Sequence, residues 1–271
     1  MKKTHITVIA LLLLVLLACS TAQSVFAAHV GSAVFCPNNF SEEAGDTWSE
    51  IGISTAYCTW IHDMIDAKYL GYNFLSIDSS VNDYVAYLQI LKGYDDKTIV
   101  FSKGHRGIWI PYTAHISLIA HNGDNVEDAN HIYYNTDYYK NTFTFIWHCE
   151  TSEYYYLPNS DQYGAFGMPY CFTHNHYMQQ YGTSGSHVFL GWIDKSPQFE
   201  TWVNANYRFA SVAYWFWYYV CQGYSVGWAL NYLCNKIYGC PYFVGTTLYT
   251  GDGDHGPLTV WGNRYMCLPS E

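Results

Sequence analysis

The stretch KTIVFSKGHRG, residues 97–107, runs from an apolar strand pattern directly into a histidine that has glycine nearby on both sides. Residues 98–102 predict a buried β-strand, because a short apolar run rich in β-branched and aromatic residues is typical of one. The stretch NTFTFIWHCET, residues 141–151, repeats this construction with a cysteine after the strand. Two predicted strands therefore each end by presenting a reactive side chain, His105 in the first and Cys149 in the second.

The segment before His105 alternates strand and helix patterns. Ser80 followed by Asp83 predicts a capped helix start, and apolar residues then recur at helical spacing. The predicted elements over residues 31–103 are strands at 31–35, 72–77 and 98–102 and helices at 55–70 and after Ser80. This β-α-β-α-β order indicates a parallel sheet covered by helices. Further strands are predicted at 143–147 and 187–192, and helices at 209–221 and 225–239. Ser196 with Pro197 and Glu200 predicts another helix start. With no repeat or linker, these elements predict one α/β domain over 29–271.

The positions of His105 and Cys149 indicate a chemistry. In open α/β sheets, ligands bind at the carboxyl ends of strands, where the loops converge. If the two strands are neighbours, a thiol and an imidazole face each other across one cleft. That pair is the minimum for covalent acyl transfer, with Cys149 as nucleophile and His105 as general base and acid. Backbone N–H groups beside the cleft are expected to hold the oxyanion.

The N-terminus predicts export. Lys2 and Lys3 precede an apolar run at 6–18 and small residues around 25–28, which is the layout of a signal peptide over residues 1–28. That run is short for a permanent span, which needs about 20 residues, so cleavage near Ala27 or Ala28 is expected. No transmembrane span is expected in the chain that remains. Leu16-Leu17-Ala18-Cys19 offers an alternative, a lipobox that would tether the secreted product to a membrane through Cys19.

The composition limits the classes of molecule that this protein is expected to bind. The chain carries 12 Lys and Arg against 22 Asp and Glu, a net charge of −10, and both N-terminal lysines fall in the predicted signal peptide. Such an acidic surface repels phosphate backbones, so nucleic acid is not an expected partner. Aromatic residues make up 19% of the chain, which is typical of a folded protein rather than a disordered one.

The order of these features resembles the caspase-like cysteine peptidases of clan CD, and most closely their gingipain and clostripain side. Cys149 stands 44 positions after His105, similar to the caspase-type order. HVFLGWIDKSP at 187–197 is similar to the strand after the nucleophile in gingipain-like enzymes. GYSVGWALNYLC at 223–234 and LTVWGNRYMCLP at 258–269 are similar to a helix and a closing strand of these proteins.

The resemblance implies a caspase-hemoglobinase-like fold, a three-layer α/β/α sandwich with a mostly parallel central sheet. It also implies a secreted cysteine endopeptidase that acts on peptide or protein substrates with no cofactor or metal. Gly107 and Cys149 would supply the oxyanion N–H groups, and Trp147, Gly191 and Trp192 would line the substrate pocket. This chain has Arg106 between His105 and Gly107. Trp147 stands where clostripain-like members have an aspartate, so an apolar or aromatic preference replaces an Arg/Lys one.

Other interpretations of the same residues stay open. Secreted cysteines commonly form disulfides, and Cys149 is then one half of a bridge. His174 and His176 supply imidazoles for a metal, and Asp124, Glu127 and Asp128 supply carboxylates for calcium, although neither set has a recognised spacing. The abundant Tyr and Trp also suit a non-catalytic binding domain that retains the peptidase fold.

Overall fold

The computed structural model describes residues 28–38, 48–107, 117–152, 167–238 and 256–270. These residues form eight strands: β1 (Val30–Cys36), β2 (Asn73–Ile77), β3 (Lys97–Lys103), β4 (Ser117–Ile119), β5 (Asn125–Glu127), β6 (Asn141–Trp147), β7 (Val188–Trp192) and β8 (Leu258–Gly262). They also form five α-helices: α1 (Trp48–Asp66), α2 (Val81–Tyr94), α3 (Met168–Thr173), α4 (Phe209–Cys221) and α5 (Val226–Tyr238). Residues 1–27 of the predicted signal peptide, with Cys19, lie outside the described ranges.

Six of these strands form one sheet in the order β2-β1-β3-β6-β7-β8. The pairs from β2 to β7 are parallel, and β8 is antiparallel to β7. Strands β4 and β5 form a separate antiparallel hairpin. The chain is therefore an α/β protein with a mostly parallel central sheet, which confirms the fold class predicted from the sequence at that level.

Helices cover both faces of the sheet. Successive side chains of a strand point to opposite faces, so apolar residues on both faces need a helix layer to bury them. On β1, Val34 and Cys36 join an apolar cluster with residues of α1, α4 and α5. The alternate residues Ala33 and Phe35 join a second cluster with residues of α2 and α3. Among the described residues no helix has both the length and the apolar character needed to cross a membrane.

Helix α2 begins as the sequence predicts. The Ser80 hydroxyl accepts the Asp83 N–H at 3.2 Å, and the Asp83 carboxylate accepts the Ser80 N–H at 2.7 Å, which is a complete capping box. Tyr84, Leu88 and Leu91 form the buried face of the helix. The cap fixes where α2 starts, and the buried face fixes how it lies on the sheet.

Candidate active site

Strands β3 and β6 are neighbours and run parallel, with Lys103 paired to Trp147 at their carboxyl ends. His105 and Cys149 each follow two residues beyond this last pair, and both are half-buried. Neighbouring strands are about 4.8 Å apart, so the two segments leave the sheet side by side. The structure thus places the histidine and the cysteine in adjacent loops at one edge of the sheet.

Contacts between the two loops hold them together past the end of the sheet. The Gly104 N–H donates to the Trp147 carbonyl at 3.3 Å, which extends the pairing by one residue. Arg106 forms an ion pair with Glu150, so the residues that follow His105 and Cys149 are linked directly. The hairpin strand β4 fixes the other side, since the Ile119 N–H donates to the His105 carbonyl at 3.0 Å.

The sulfur of Cys149 has two contacts with Ser196, in the loop that follows β7. The Ser196 N–H donates to Sγ at 3.3 Å, and the Ser196 hydroxyl lies 3.5 Å from Sγ. The two contacts hold the Cys149 sulfur against the loop that follows β7. Sequence reasoning missed Ser196; its only signal was its place just after a strand that parallels β6.

His148 is fully buried between the two loops and the sheet. Its Nδ1 lies 2.6 Å from the His105 carbonyl oxygen, and its Nε2 lies 2.7 Å from the Ser102 hydroxyl. The Ser102 hydroxyl is in turn 2.7 Å from the Tyr84 hydroxyl. Burial lowers the pKa of His148 to about 3, although the hydrogen bond to the His105 carbonyl opposes that shift. His148 is therefore neutral and points inward, while Cys149 stands at the edge.

The Gly107 N–H, predicted as an oxyanion donor, is engaged elsewhere. It donates to the Ser117 carbonyl at 2.7 Å, as part of the link between the His105 loop and β4. It becomes available to a substrate only if that hydrogen bond breaks. The Cys149 N–H stays the predicted oxyanion donor.

The residues predicted to line a substrate pocket lie beneath the site. Trp147 and Trp192 are both 0% exposed, with ring centroids 4.9 Å apart in an edge-to-face arrangement. The Trp147 indole N–H donates to the Pro197 carbonyl at 2.8 Å. At Gly191 an added Cβ would lie 2.9 Å from the Thr151 hydroxyl, so β7 closely approaches the turn after Cys149. Among the described residues, these two indoles belong to the core and line no open cleft.

A buried ion pair lies at the carboxyl end of β3, two residues before His105 in the chain. Lys103 Nζ is 3.0 Å from a carboxylate oxygen of Glu50, and the two side chains are 2% and 0% exposed. Glu50 also accepts the N–H groups of Phe199 at 2.9 Å and Glu200 at 2.6 Å. Burial raises the pKa of Glu50, but Lys103 and these N–H groups outweigh it, so the pKa is lowered. No local pattern indicates this pair, because its members stand far apart in the chain.

The groups considered for metals have other contacts. His174 Nε2 lies 2.9 Å from the Thr136 hydroxyl, and His176 Nε2 lies 3.0 Å from the Tyr170 hydroxyl. Asp128 is buried and accepts the Ala129 N–H at 2.6 Å. Within the described ranges, no three His, Cys, Asp or Glu side chains are grouped so that they could hold a metal ion.

Cys149 has a free thiol in the described part of the chain. Seven cysteines are described, Cys149 among them, and no two of them form a disulfide. Cys267 is exposed, Cys149 is half-buried, and Cys240 lies outside the described ranges. Cys149 is thus a partly accessible thiol beside a histidine-bearing loop.

No family model matches the chain, and no curated protein matches it. The fold and the site accordingly define the class: an α/β protein with a mostly parallel six-stranded sheet flanked by helices. Its distinguishing feature is a histidine loop and a cysteine loop that leave adjacent parallel strands at the same edge.

Proposed function

We propose that this protein is a secreted cysteine endopeptidase of caspase-hemoglobinase-like fold, with Cys149 as nucleophile and His105 as general base and acid. One observation carries the proposal: β3 and β6 are paired in parallel up to Lys103 and Trp147, two residues before His105 and Cys149. The family order found in the sequence requires that adjacency, since the base and the nucleophile come from separate strands. The half-buried Cys149 thiol and its two Ser196 contacts add support.

The reaction proceeds through a thioester. The Cys149 sulfur attacks the scissile carbonyl carbon, so a C–S bond forms while the carbonyl electron pair moves to oxygen. His105 takes the thiol proton and gives it to the leaving amine as the C–N bond breaks. A water molecule, deprotonated by His105, then attacks the thioester, and the C–S bond breaks to release the acid product and the thiol. The Cys149 N–H is the proposed donor to the oxyanion, a contribution of about 3 kcal/mol.

An active-site probe tests this proposal. A peptidyl acyloxymethyl ketone is expected to label Cys149, and Cys149→Ala is expected to abolish both the label and peptide cleavage. Cys267→Ala is the matched control, because Cys267 is the exposed thiol, and it should change neither. Mass spectrometry of the labelled protein identifies the modified cysteine. A mature protein in which Cys149 is disulfide-bonded would rule the proposal out.

A second candidate is a surface or secreted binding domain with the same fold and no catalysis. Two observations favour it: the Gly107 N–H is already bonded to Ser117, and the indoles of Trp147 and Trp192 are fully buried. An enzyme should react with the ketone probe faster at Cys149 than at Cys267. Equal labelling of the two cysteines, together with no cleavage of a peptide library, selects the binding domain.

A further inference from the structure

A chain of buried hydrogen bonds runs from α2 through the sheet to the backbone of His105. It joins the Tyr84 hydroxyl, the Ser102 hydroxyl and the His148 ring, and it ends on the His105 carbonyl. Tyr84, Ser102 and His148 are each 0% exposed. Buried polar side chains that bond only to one another and to the backbone of the site have few alternative partners. These hydrogen bonds therefore have one arrangement.

The direction of each hydrogen bond follows from the chemistry of its partners. A carbonyl oxygen only accepts, so His148 must carry its proton on Nδ1 and donate to His105. Because burial lowers the pKa of His148 to about 3, the ring is neutral near pH 7 and its Nε2 accepts from Ser102. The Ser102 oxygen then accepts from Tyr84. The fold thus selects the Nδ1–H tautomer of His148.

The hydrogen-bond chain and strand β4 both bond to the backbone of His105. The His105 carbonyl accepts two donors, the Ile119 N–H at 3.0 Å and the His148 Nδ1–H at 2.6 Å. Gly104 allows the ring to come this close, since an added Cβ there would lie 2.7 Å from His148 Cε1. The loop that carries the imidazole is consequently fixed by two hydrogen bonds at the backbone of that residue.

We propose that His148 is a positioning residue that sets the orientation of the His105 imidazole toward Cys149. The proposal rests on the proposed peptidase function and deepens it, because it assigns the group that orients the general base. His148 acts through the His105 carbonyl and does not touch the substrate. Displacement of a catalytic group by about 1 Å costs up to about 10²-fold in rate, which sets the size of the expected effect.

Two substitutions separate positioning from packing. His148→Asn keeps an N–H donor where Nδ1 stands, so the bond to the His105 carbonyl is retained. His148→Gln places its amide near Nε2, so the bond to Ser102 is retained and the bond to His105 is lost. We expect His148→Gln to lower kcat by about 10–100-fold with little change in KM. His148→Asn should stay within about threefold of the parent protein.

Packing alone predicts the reverse order. Asn is smaller than Gln and leaves the larger cavity in this fully buried site. If His148 only filled space, His148→Asn would therefore be the more damaged variant. Activity in His148→Gln equal to or above that of His148→Asn overturns the proposal. Thermal unfolding of both variants shows whether each is folded, and Tyr84→Phe, which removes only the last hydroxyl of the chain, should lower kcat by less than His148→Gln.

A readout without turnover separates this proposal from the proposed function. Long-range ¹H–¹⁵N spectra of the histidine rings should show His148 as the neutral Nδ1–H tautomer at pH 7. The ring signals of His105 should move in His148→Gln and stay in place in His148→Asn. If the parent protein cleaves no peptide and reacts with no probe, the peptidase proposal fails while these signals still decide the positioning role. An Nε2–H tautomer at His148, or equal shifts of His105 in both variants, overturns it.

Discussion

The two glycines around His105 are required by close packing. An added Cβ at Gly104 would lie 2.7 Å from His148 Cε1 and 2.7 Å from Pro37 Cγ. At Gly107 it would lie 2.1 Å from the Ser117 hydroxyl and 2.2 Å from the Asn125 side-chain oxygen. Neither glycine has the positive φ that would demand glycine on conformational grounds. The two glycines therefore allow neighbouring side chains to pack closely against the loop, and their role is not to make the loop flexible.

Gly104→Ala is expected to destabilise the protein and to reduce the reactivity of Cys149. The new methyl group must displace the His148 ring or the Pro37 ring, and overpacking of this kind costs about 1–3 kcal/mol. Gly52→Ala is the matched control, because Gly52 lies within α1 with nothing near its Cβ position. That substitution should raise stability by about 0.5–1 kcal/mol. Urea unfolding measures both, and equal stability of the two variants would contradict the packing argument.

Single residues show how far the sequence determines the site. His105 and Cys149 were found because each follows a strand pattern, and the loops of parallel strands meet at one edge. Ser196, Ser102 and Tyr84 were missed because their contacts with the site depend on how elements pack. The residues that flank a serine in the sequence do not indicate which distant side chain it will contact.

At the scale of elements, one buried ion pair joins three segments beneath the site. Glu50 lies in the first turn of α1 and Lys103 at the end of β3, and Glu50 also bonds the backbone of residues 199 and 200. Two buried charges are costly to remove from water, and the attraction between them offsets this only when their other hydrogen-bonding positions are filled. Here the carboxylate has Lys103, two backbone N–H groups and the Ser54 hydroxyl.

Breaking this pair on one side should be far worse than replacing both members. Lys103→Met leaves the Glu50 carboxylate buried without its cation, and we expect a loss of about 3–5 kcal/mol. Glu50→Gln/Lys103→Met should recover part of that loss, since no buried charge is left. Lys195→Met is the control: Lys195 is exposed, and its removal should change stability by less than about 0.5 kcal/mol. Urea unfolding of this set together with Glu50→Gln alone gives the coupling energy, and strictly additive effects would contradict a direct interaction.

Tertiary hydrogen bonds of the segment that Glu50 contacts explain why one predicted element is absent. Ser196, Pro197 and Glu200 form a helix-start pattern, yet the next helix in the structure is α4 at Phe209–Cys221. The N–H groups of Phe199 and Glu200 are bound by Glu50, and Trp202 then forms a bridge with Arg208. The helix prediction at Ser196 was wrong because the backbone groups that would continue a helix bond elsewhere: the carbonyls of Phe199 and Thr201 accept from the N–H groups of Ala210 and Phe209, and the Glu200 N–H donates to Glu50. By contrast, the Ser80 cap was predicted because all of its partners lie within three residues.

At the scale of the whole molecule, the order of strands is what local pattern cannot supply. Residues 98–102 and 143–147 each predict a buried strand, but nothing in either stretch says that they pair. Their pairing follows from packing on both faces of the sheet, where each helix layer buries its own apolar cluster. The class of fold was therefore predictable from the sequence. That the two loops are adjacent could only be assumed from the sequence, and the pairing of β3 with β6 shows it.

Two buried histidines, His148 and His187, and the half-buried His174 make the stability of the whole molecule depend on pH. Burial lowers the pKa of His148 to about 3 and of His174 to about 4, and it also lowers the pKa of His187, from an ordinary value of 6.5. The unfolded chain thus takes up protons first as the pH falls, so this contribution to stability is complete above pH 6.5 and is lost below it. Between pH 7 and pH 5, His148 and His174 should each lower the free energy of unfolding by about 2 kcal/mol.

Urea unfolding at pH 7 and at pH 5 measures this loss, and His174→Asn identifies one source of it. That variant has no imidazole to protonate at position 174, so its stability should fall by about 2 kcal/mol less than that of the parent protein over the same interval. His148→Asn should show a similar reduction, because the histidine that it removes is neutral in the folded state. A parent protein equally stable at both pH values would mean that these histidines take up protons equally in the folded and the unfolded state. That result would also contradict a neutral His148 ring at pH 5, where a protonated ring would donate from both nitrogens.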